Sequence, residues 1–391
     1  MASAEAGYPK CVVLSGVPRV HFWEGGPLCP EDLILPSVMR SVLEFLGEGD
    51  YGCRHRLAKL PHCQIFCTYA YLMGVSGAAA FLSWKQGGYP GDLAYMGAEP
   101  GAAERHLFQA IGYDYAWVTK EPGRDNRAEF ADQVRASIQR GVPVLGYGVV
   151  GPPEPSIITG YDEGGDVVIG WSFFQEIPPF SEGLRYEPAT NDGKGCFRKR
   201  DWFDATERLL IIGEKRERQP WPVIYRQSLA WMLEVIRTPM VRPEPDASEG
   251  YRGRYNGLAA YDAWAAYLRD DAAWSEDEAT LHQLHEPHNA AVGVVAEARW
   301  YGGQFLAMAA ESLAGGPGRL GTSEHAYRAA ACYASQHDLM WQVWDLAGGN
   351  GFPEAHLRMA DQGVRHAMAE IILEARAKED QAAEAMELAL G

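Results

Sequence analysis

The chain has 391 residues, of which 47% are hydrophobic, so it is long enough for two or three domains and at least one large core. Its 35 basic and 52 acidic residues give a formal net charge of −17, and basic residues cluster only briefly, in FRKR at Phe197–Arg200 and EKRER at Glu214–Arg218. This pattern argues against nucleic acid as a partner, because neutralising phosphates requires a concentrated basic face.

The N-terminal stretch MASAEAGYPKCVVLSGVPRV contains no basic segment followed by a long apolar one. Elsewhere, no stretch approaches the roughly 18 consecutive apolar residues of a membrane span. The seven cysteines are odd in number and scattered, which favours reduced thiols over a disulfide framework. We therefore expect a soluble cytoplasmic protein with no membrane partner, and the sequence leaves its oligomeric state open.

Short runs rich in β-branched residues predict strands in the first half of the chain, each bounded by Gly or Pro. The runs are CVVL (Cys11–Leu14), PVLGYGVV (Pro143–Val150), SIIT (Ser156–Thr159), DVVIG (Asp166–Gly170) and RLLIIG (Arg208–Gly213). The turn DEGG at 162–165 predicts a hairpin between the third and fourth of these runs. Apolar residues at helical spacing predict helices at Ser37–Phe45 and Cys67–Met73.

After about residue 215 the strand signals end, and YRQSLAWMLEVI predicts a helix that is followed by a polar linker, RPEPDASEGYRGR (Arg242–Arg254). Two later segments carry apolar residues at helical spacing, which predicts a bundle. The two stripes are Val294, Ala298, Tyr301, Phe305 and Met308, and Tyr327, Ala330, Ala334, His337, Trp341 and Trp344. The predicted class is α+β, with an α/β domain at 1–215, a helix and linker at 216–254, and an all-helical bundle at 255–391.

The segment GVPVLGYGVVGPPEPSIITGYDEGGDVVIGW (Gly141–Trp171) contains Gly-x-Pro-Val, a loop, an apolar strand ending in Gly-Tyr-Asp, and a second strand after Gly-Gly. It resembles the histidine-bearing half of papain-like cysteine enzymes. It is most similar to the N-terminal domain family of butirosin biosynthesis protein H, a family of bacterial acyltransferases. It is more distantly similar to bacteriocin leader peptidases. CPEDLILPSVMRSVLEFLGE (Cys29–Glu48) and YLMGVSGAAAFLSW (Tyr71–Trp84) resemble the other half. The resemblance covers about residues 10–215 and implies a papain-like N-terminal domain.

The family's two catalytic positions are occupied by other residues in this chain. In the family, a histidine lies six positions before the Gly of Gly-Tyr-Asp, and here that position is Glu154. The family's nucleophilic cysteine begins the helix, where the nearest match is Ser37. A carboxylate is a poor general base for a hydroxyl unless burial raises its pKa, so Ser37 is favoured as a helix-capping residue and Glu154 as a loop carboxylate.

Two classes of function follow from the resemblance. In the first, the protein transfers or hydrolyses an acyl or amide group of a small molecule or peptide, with an acyl carrier as a further partner. The nucleophile is then Cys29, Ser37 or Cys63, assisted by Glu154 or by a histidine from elsewhere. In the second, the domain is catalytically inactive and binds a ligand or a partner protein. The resembling segments supply the candidate substrate-binding residues Trp84, Tyr161, Asp162 and Trp171.

No metal or nucleotide cofactor is expected. Cys53, His55, His62, Cys63 and Cys67 lack the paired spacing of tetrahedral zinc sites. His282, His285 and His288 are three apart, but Pro287 is predicted to interrupt their helix. His337 lies on an apolar stripe and needs a partner if it is buried, for which Glu297 or Arg299 is the expected candidate. The glycine-rich loops lack the spacing of nucleotide-binding turns.

Overall fold

A computed structural model describes residues 8–19, 31–48, 51, 63–97, 101–121, 123–188, 195–239, 253–314 and 320–391, with side chains from 68 and from 321 in the helices that begin at 63 and 320. None of the helices in these ranges combines the length and apolar character needed to cross a membrane.

The described helices are α1 (Ile34–Phe45), α2 (Cys63–Ser76), α3 (Ala102–Ile111), α4 (Arg127–Gln139), α5 (Trp202–Ala205), α6 (Trp221–Arg237), α7 (Gly257–Arg269), α8 (Glu278–Leu313), α9 (Leu320–Leu346), α10 (Ala355–Arg358) and α11 (Gln362–Leu390). The strands are β1 (Val12–Val13), β2 (Ser83–Trp84), β3 (Tyr113–Thr119), β4 (Val144–Tyr147), β5 (Pro155–Asp162), β6 (Val167–Trp171), β7 (Arg185–Tyr186), β8 (Phe197–Lys199), β9 (Arg208–Lys215) and β10 (Tyr255–Asn256). Each predicted strand and helix of the first half is therefore confirmed within a few residues.

The chain forms two compact units. Unit 1 comprises Met1–Gly49 and Ile111–Arg218, and unit 2 comprises Asp50–Ala110 and Gln219–Gly391. Unit 1 contains an antiparallel sheet and unit 2 is mainly helical, so the predicted α+β class with a helical C-terminal region is confirmed. Residues 50–110, which the sequence analysis assigns to the N-terminal domain, are part of unit 2. The boundaries 1–215, 216–254 and 255–391 stay predictions.

The sheet of unit 1 has the strand order β3-β9-β4-β5-β6-β8-β7, with β1 beside β5. The predicted hairpin is β5–β6, in which Ile157 lies opposite Trp171 and Asp162 opposite Val167. Helix α4 covers one face of the sheet and buries Phe130, Val134 and Ile138 against it. Helix α1 also contacts β5, and its residues are not part of the cluster under α4.

Unit 2 is organised around a fully buried arginine of α8. The Nε of Arg299 donates to Oε2 of Glu379 in α11 over 2.7 Å, and its Nη atoms donate to the carbonyls of Ala79 (2.8 Å) and Ala80 (3.2 Å). Tyr333 of α9 donates to the other carboxylate oxygen of Glu379 over 3.1 Å. Both members of the ion pair are at most 1% exposed. The network thereby joins three helices of the bundle to the 3₁₀ turn Ala78–Ala80.

One expectation for the bundle is confirmed and another is corrected. The predicted α8 stripe Val294–Met308 is buried. The predicted α9 stripe is buried only in part, because Trp344 is 9% exposed whereas Tyr327 is 46% and Trp341 42% exposed. The residues of α9 that are buried at helical spacing are Ala326, Ala329, Tyr333, Gln336, Met340 and Val343.

We expect Glu379→Ala to lower the free energy of unfolding of the protein by about 3–5 kcal/mol, because it leaves the Arg299 charge buried without its counter-ion. The double variant Arg299→Met/Glu379→Leu should lose much less, since it removes both charges and keeps side-chain volume. Urea unfolding of the three proteins measures this. If the single and double variants lose the same free energy of unfolding, the effect does not come from an uncompensated Arg299 charge, and the explanation is wrong.

Cleavage in the predicted linker should not separate the protein into two pieces. Most of that linker lies outside the described residues, but unit 2 is built from chain on both sides of it, through contacts such as Arg299 with Ala79 and Glu297 with Tyr69. A protease site inserted at residues 243–249 should therefore give two fragments that co-elute on size exclusion at native pH. Separate elution without denaturant would contradict the arrangement of unit 2.

Candidate functional site

Ser37 lies in the first turn of α1 and its side chain is fully buried. Its Oγ is 2.7 Å from the carbonyl oxygen of Glu31 and 2.8 Å from that of Leu33. A hydroxyl has one proton, and both neighbours are acceptors, so that proton is committed to the backbone. The helix begins at Ile34 with Leu33 as its N-cap, so Ser37 bonds back within the helix and does not cap it. The predicted capping role is therefore replaced by a bond that fixes the chain entering α1.

The next turn of α1 carries a buried ion pair. Arg40 donates from Nε and Nη2 to the two carboxylate oxygens of Glu31, each over 2.8 Å, and from Nη1 to Glu44 over 2.6 Å. Its Nη2 also reaches the carbonyl of Arg19 at 3.1 Å. Arg40 and Glu31 are each 1% exposed. A bidentate pair of this kind fixes the relative orientation of the two side chains and is stronger than a single neutral hydrogen bond. It holds residue 31 where its carbonyl receives the Ser37 hydroxyl.

Glu154 ends the loop between β4 and β5 and is half-buried. Its carbonyl accepts from the backbone N–H of Gly148 over 3.2 Å. The loop is held from the β6 side, where the Ser172 hydroxyl donates to the carbonyl of Val150 over 3.0 Å. A Cβ at Gly151 would lie 2.4 Å from the ring of Phe174, so the loop packs too closely there for any larger residue. The loop that carries Glu154 is thus held in place by contacts with the residues that follow β6.

The hairpin β5–β6 contains three of the predicted substrate-binding residues, and they differ in environment. Tyr161 is fully buried in the cluster under α4. Asp162 pairs with Arg198 and accepts from the N–H of Glu163, and Arg198 holds the pKa of Asp162 below its usual range. Trp171 is 7% exposed, and its indole N–H has no acceptor among the described residues.

The remaining candidates lie elsewhere. Trp84 belongs to unit 2, where it stacks on Trp264 at 5.7 Å between ring centroids and is part of the core, 5% exposed. Cys29 lies outside the described residues. Cys63 begins α2, and its side chain is likewise outside them. The structure therefore brings Ser37, Glu154, Tyr161, Asp162 and Trp171 into one unit and places Trp84 in the other.

The thiols that the structure describes are not activated. Burial is the first cause that raises the pKa of Cys11, Cys196 and Cys332 above its ordinary value. At Cys11 the carboxylate of Asp162 adds to this effect, and at Cys196 a hydrogen bond with Thr159 opposes it. A nucleophilic cysteine needs a lowered pKa, so these three thiols do not fit that task.

Two cavities of unit 1 lie near the beginning of α4 and contain none of the predicted site residues. One, of about 380 Å³, lies between Arg127, Arg135 and Trp202, and the other, of about 640 Å³, lies beside Lys120 and Phe203. Arg127 is paired with Asp204 at 2.7 Å, and Lys120 donates to the carbonyl of Phe203 at 2.7 Å. The cations that line these cavities are therefore already engaged.

The histidines His282, His285 and His288 lie on one continuous helix. Helix α8 runs unbroken from Glu278 to Leu313 with Pro287 inside it, so the predicted interruption is wrong. Pro287 cannot donate the helical hydrogen bond of its position, and α8 continues through it in contact with α9 and α10. The rings of His285 and His288 are 5.8 Å apart, and those of His282 and His356 5.3 Å.

No group of three or more His, Cys, Asp or Glu side chains within the described ranges is arranged to hold a metal ion. His337 is satisfied by other partners than those predicted. Its Nδ1 is 2.9 Å from the carbonyl of Ala296, and its Nε2 accepts from the indole N–H of Trp341 over 3.0 Å. Glu297 instead accepts from Tyr69, and Arg299 pairs with Glu379.

Sequence reasoning missed several residues that order this region. Ser172 follows Trp171 directly, and Gln175 accepts from the backbone N–H of Ser172 over 3.2 Å. Arg198 joins Asp162 to Glu187, although the sequence marks it only as part of a short basic run. The alternation of a strand gives no signal for these contacts, because the first lies in a turn after β6 and the Arg198 pairs join residues 11 and 36 positions apart.

No protein-family model matches the chain, and no curated protein is significantly similar to it.

His288 should make the protein less stable in acid. Its Nδ1 accepts from the indole N–H of Trp264 over 3.0 Å, and burial, with His285 second, lowers its pKa to about 3. The unfolded chain gains this proton near pH 6.5 and the folded chain only near pH 3, so stability is unaffected above about pH 6.5 and falls between those values, by about 1.4 kcal/mol per pH unit. Urea unfolding from pH 7 to 5 should show a shallower slope for His288→Gln. Identical slopes would contradict the assignment.

Proposed function

We propose that unit 1 is a papain-like domain that binds an amine-bearing small molecule or peptide, and that it does not transfer acyl groups through Ser37. The fold part of the proposal is supported by an antiparallel sheet whose hairpin β5–β6 carries the Gly-Tyr-Asp pattern, and by α1 packed against β5. Of the two segments that resemble the other half, Cys29–Glu48 supplies α1 of unit 1, whereas Tyr71–Trp84 belongs to unit 2.

The state of Ser37 is the observation that carries the proposal. A serine nucleophile must pass its proton to a base, and the base must lie within hydrogen-bond reach of the hydroxyl. The acceptors within reach of Ser37 are the backbone carbonyls of Glu31 and Leu33, and neither is a base. Full burial also denies a substrate access to the oxygen. An acyl transfer through Ser37 would need the first turn of α1 to come apart.

Glu154 supplies the binding chemistry. An ionised carboxylate accepts hydrogen bonds but cannot shuttle a proton near neutral pH as an imidazole does. Its natural counterpart is an ammonium group, because charge-assisted hydrogen bonds are about twice as strong as neutral ones. The chain's net charge of −17 adds long-range attraction for a cation. Trp171, at the end of the neighbouring strand, is 7% exposed, and its buried indole N–H has no acceptor among the described residues.

Acyl or amide transfer through Cys29 or Cys63 stays a separate prediction, together with the acyl carrier as a partner and the cytoplasmic location. A thiol-directed activity probe followed by peptide mass spectrometry distinguishes it from the proposal. Preferential labelling of Cys29 or Cys63 among the seven cysteines would favour the enzyme. Absence of preferential labelling favours binding.

Glu154→Gln should weaken binding of amines by about 1.5–3 kcal/mol, the usual contribution of a hydrogen bond to a charged group. The ligands are diamines, amino sugars and lysine-containing peptides, each tested beside its N-acetylated form by titration calorimetry. Acetylation should abolish binding to the parent, because it removes the ammonium charge. The thermal midpoint should stay nearly unchanged.

The matched control is Glu182→Gln, which removes the same charge from an exposed position of unit 1. It should bind every ligand as the parent does. If Glu154→Gln and Glu182→Gln bind alike, or if acetylated and free amines bind equally to the parent, Glu154 is not the binding group and the proposal fails.

A further inference from the structure

Helices α8 and α9 expose aromatic side chains that nothing in the described chain covers. Trp300 of α8 is 41% exposed, and Tyr327 and Trp341 of α9 are 46% and 42% exposed. All three belong to unit 2. Large apolar side chains scattered singly on a surface need no explanation, but these three lie on adjoining helices together with small residues.

The aromatic end of this surface is held in a fixed arrangement. The indole N–H of Trp341 donates to His337, and the His337 ring lies 5.0 Å from the ring of Trp300. Trp344 packs edge-on against Trp341 at 5.0 Å and donates to Asn289 over 3.0 Å. The exposed rings therefore do not need to be ordered when a partner binds, which reduces the entropic cost of association.

Small residues line the surface between Tyr327 and Trp341. Gly303 and Ala307 of α8 are half-buried, as is Ala330 of α9, and Ala334 is exposed. A Cβ at Gly303 would lie 3.5 Å from the carbonyl oxygen of Ala330, so α8 and α9 approach each other closely here. We call the surface formed by Trp300, Gly303, Ala307, Tyr327, Ala330, Ala334 and Trp341 the α8–α9 face. Because the residues in the middle of this face are small, the backbone of a partner can approach the helices closely between the aromatic side chains at its two ends.

Carboxylates accompany the exposed rings at helical spacing. Glu324 precedes Tyr327 by three residues, Asp338 precedes Trp341 by three, and Asp345 follows Trp341 by four. Residues three or four apart are neighbours on a helix surface. Glu311 of α8 acts on Tyr327, since burial and the Glu311 charge raise the pKa of that tyrosine.

These four carboxylates are exposed and make no ion pair with the described residues. Arg328 is the exposed cation of α9 beside them. The α8–α9 face is therefore acidic at its margin and apolar along its middle.

We propose that the α8–α9 face binds a basic amphipathic helix of a partner protein. Tyr327 and Trp341 are 14 residues apart, which corresponds to roughly 21 Å along α9 at 1.5 Å per residue, or about four turns of a bound helix. Apolar residues of the partner at helical spacing lie over the small middle and against the rings. Its Lys and Arg side chains meet the four carboxylates and the aromatic faces.

A second copy of the chain fits the same surface less well. In an antiparallel two-fold pairing of α9 about Ala334, the positions of Glu324 and Asp345 come to within about one residue of each other, since they lie 10 and 11 residues from the centre. Two acidic pairs would then face each other across the interface, which is destabilising.

The test is selection of a display library of random 20-residue peptides on the immobilised full chain. The expected winners carry net positive charge with apolar residues at helical spacing. Each should lose at least tenfold in affinity on Trp341→Ala and on Ala334→Lys, because the first removes an aromatic end and the second fills and charges the small middle. The matched control is Ala377→Lys, an exposed alanine of α11, which should bind the peptides as the parent does.

The second part of the test removes negative charge from the margin of the α8–α9 face. Asp338→Asn/Asp345→Asn should weaken the selected peptides at least tenfold and should flatten the salt dependence of their binding. Selected peptides that carry no net positive charge, or that bind the Trp341→Ala and Ala334→Lys variants as tightly as the parent, would overturn the proposal. So would a stable dimer in analytical ultracentrifugation that Trp341→Ala dissociates, since a second copy would then be the occupant.

Discussion

A buried guanidinium must find an acceptor for its donors, and this requirement organises both units of the protein. In unit 1, Arg40 is met by Glu31, Glu44 and the carbonyl of Arg19. In unit 2, Arg299 is met by Glu379 and by carbonyls of the turn Ala78–Ala80. Because an uncompensated buried charge costs several kcal/mol, each arginine fixes segments that are far apart in the chain. Each fixed segment then limits what the neighbouring residues can do.

For the candidate site, the consequence runs from Arg40 to Ser37. The bidentate pair with Arg40 fixes Glu31, and the carbonyl of Glu31 takes the Ser37 hydroxyl. The residue that stands in the place of a nucleophile therefore belongs to the internal hydrogen bonding of α1. The resemblance aligns Glu154 with the family's imidazole, and Glu154 ends the loop before β5, which Ser172 and Phe174 hold. The engaged hydroxyl of Ser37 is the basis of the proposed binding role of unit 1, and the helical unit exposes a separate acidic and aromatic surface.

The sequence predicted the elements of unit 1 that bury a continuous apolar run, such as β5, β6 and β9, because strand periodicity and Gly-Gly turns are local signals. It missed β3, whose residues alternate between half-buried and exposed and include Asp114, and it missed α4, where polar residues outnumber apolar ones. On α9 the predicted stripe carries more large aromatic side chains than the other buried positions of the helix, yet Tyr327 and Trp341 are exposed. The buried stripe contains Gln336, which accepts from the hydroxyl of Tyr261, and periodicity does not reveal such long-range bonds. Periodicity also could not reveal that residues 50–110 belong to unit 2, because this depends on contacts with residues more than 150 positions later.

The most direct measurement of the central claim is covalent modification at Ser37. The full chain is incubated with an acyl thioester and, separately, with a fluorophosphonate, and the peptides spanning residues 31–48 are examined by mass spectrometry. The account predicts that Ser37 stays unmodified by both reagents, because its hydroxyl is buried and donates to the backbone. An acyl or phosphonyl group on Ser37, formed by the folded protein and absent after denaturation, would show that the hydroxyl is an active nucleophile and would contradict the account.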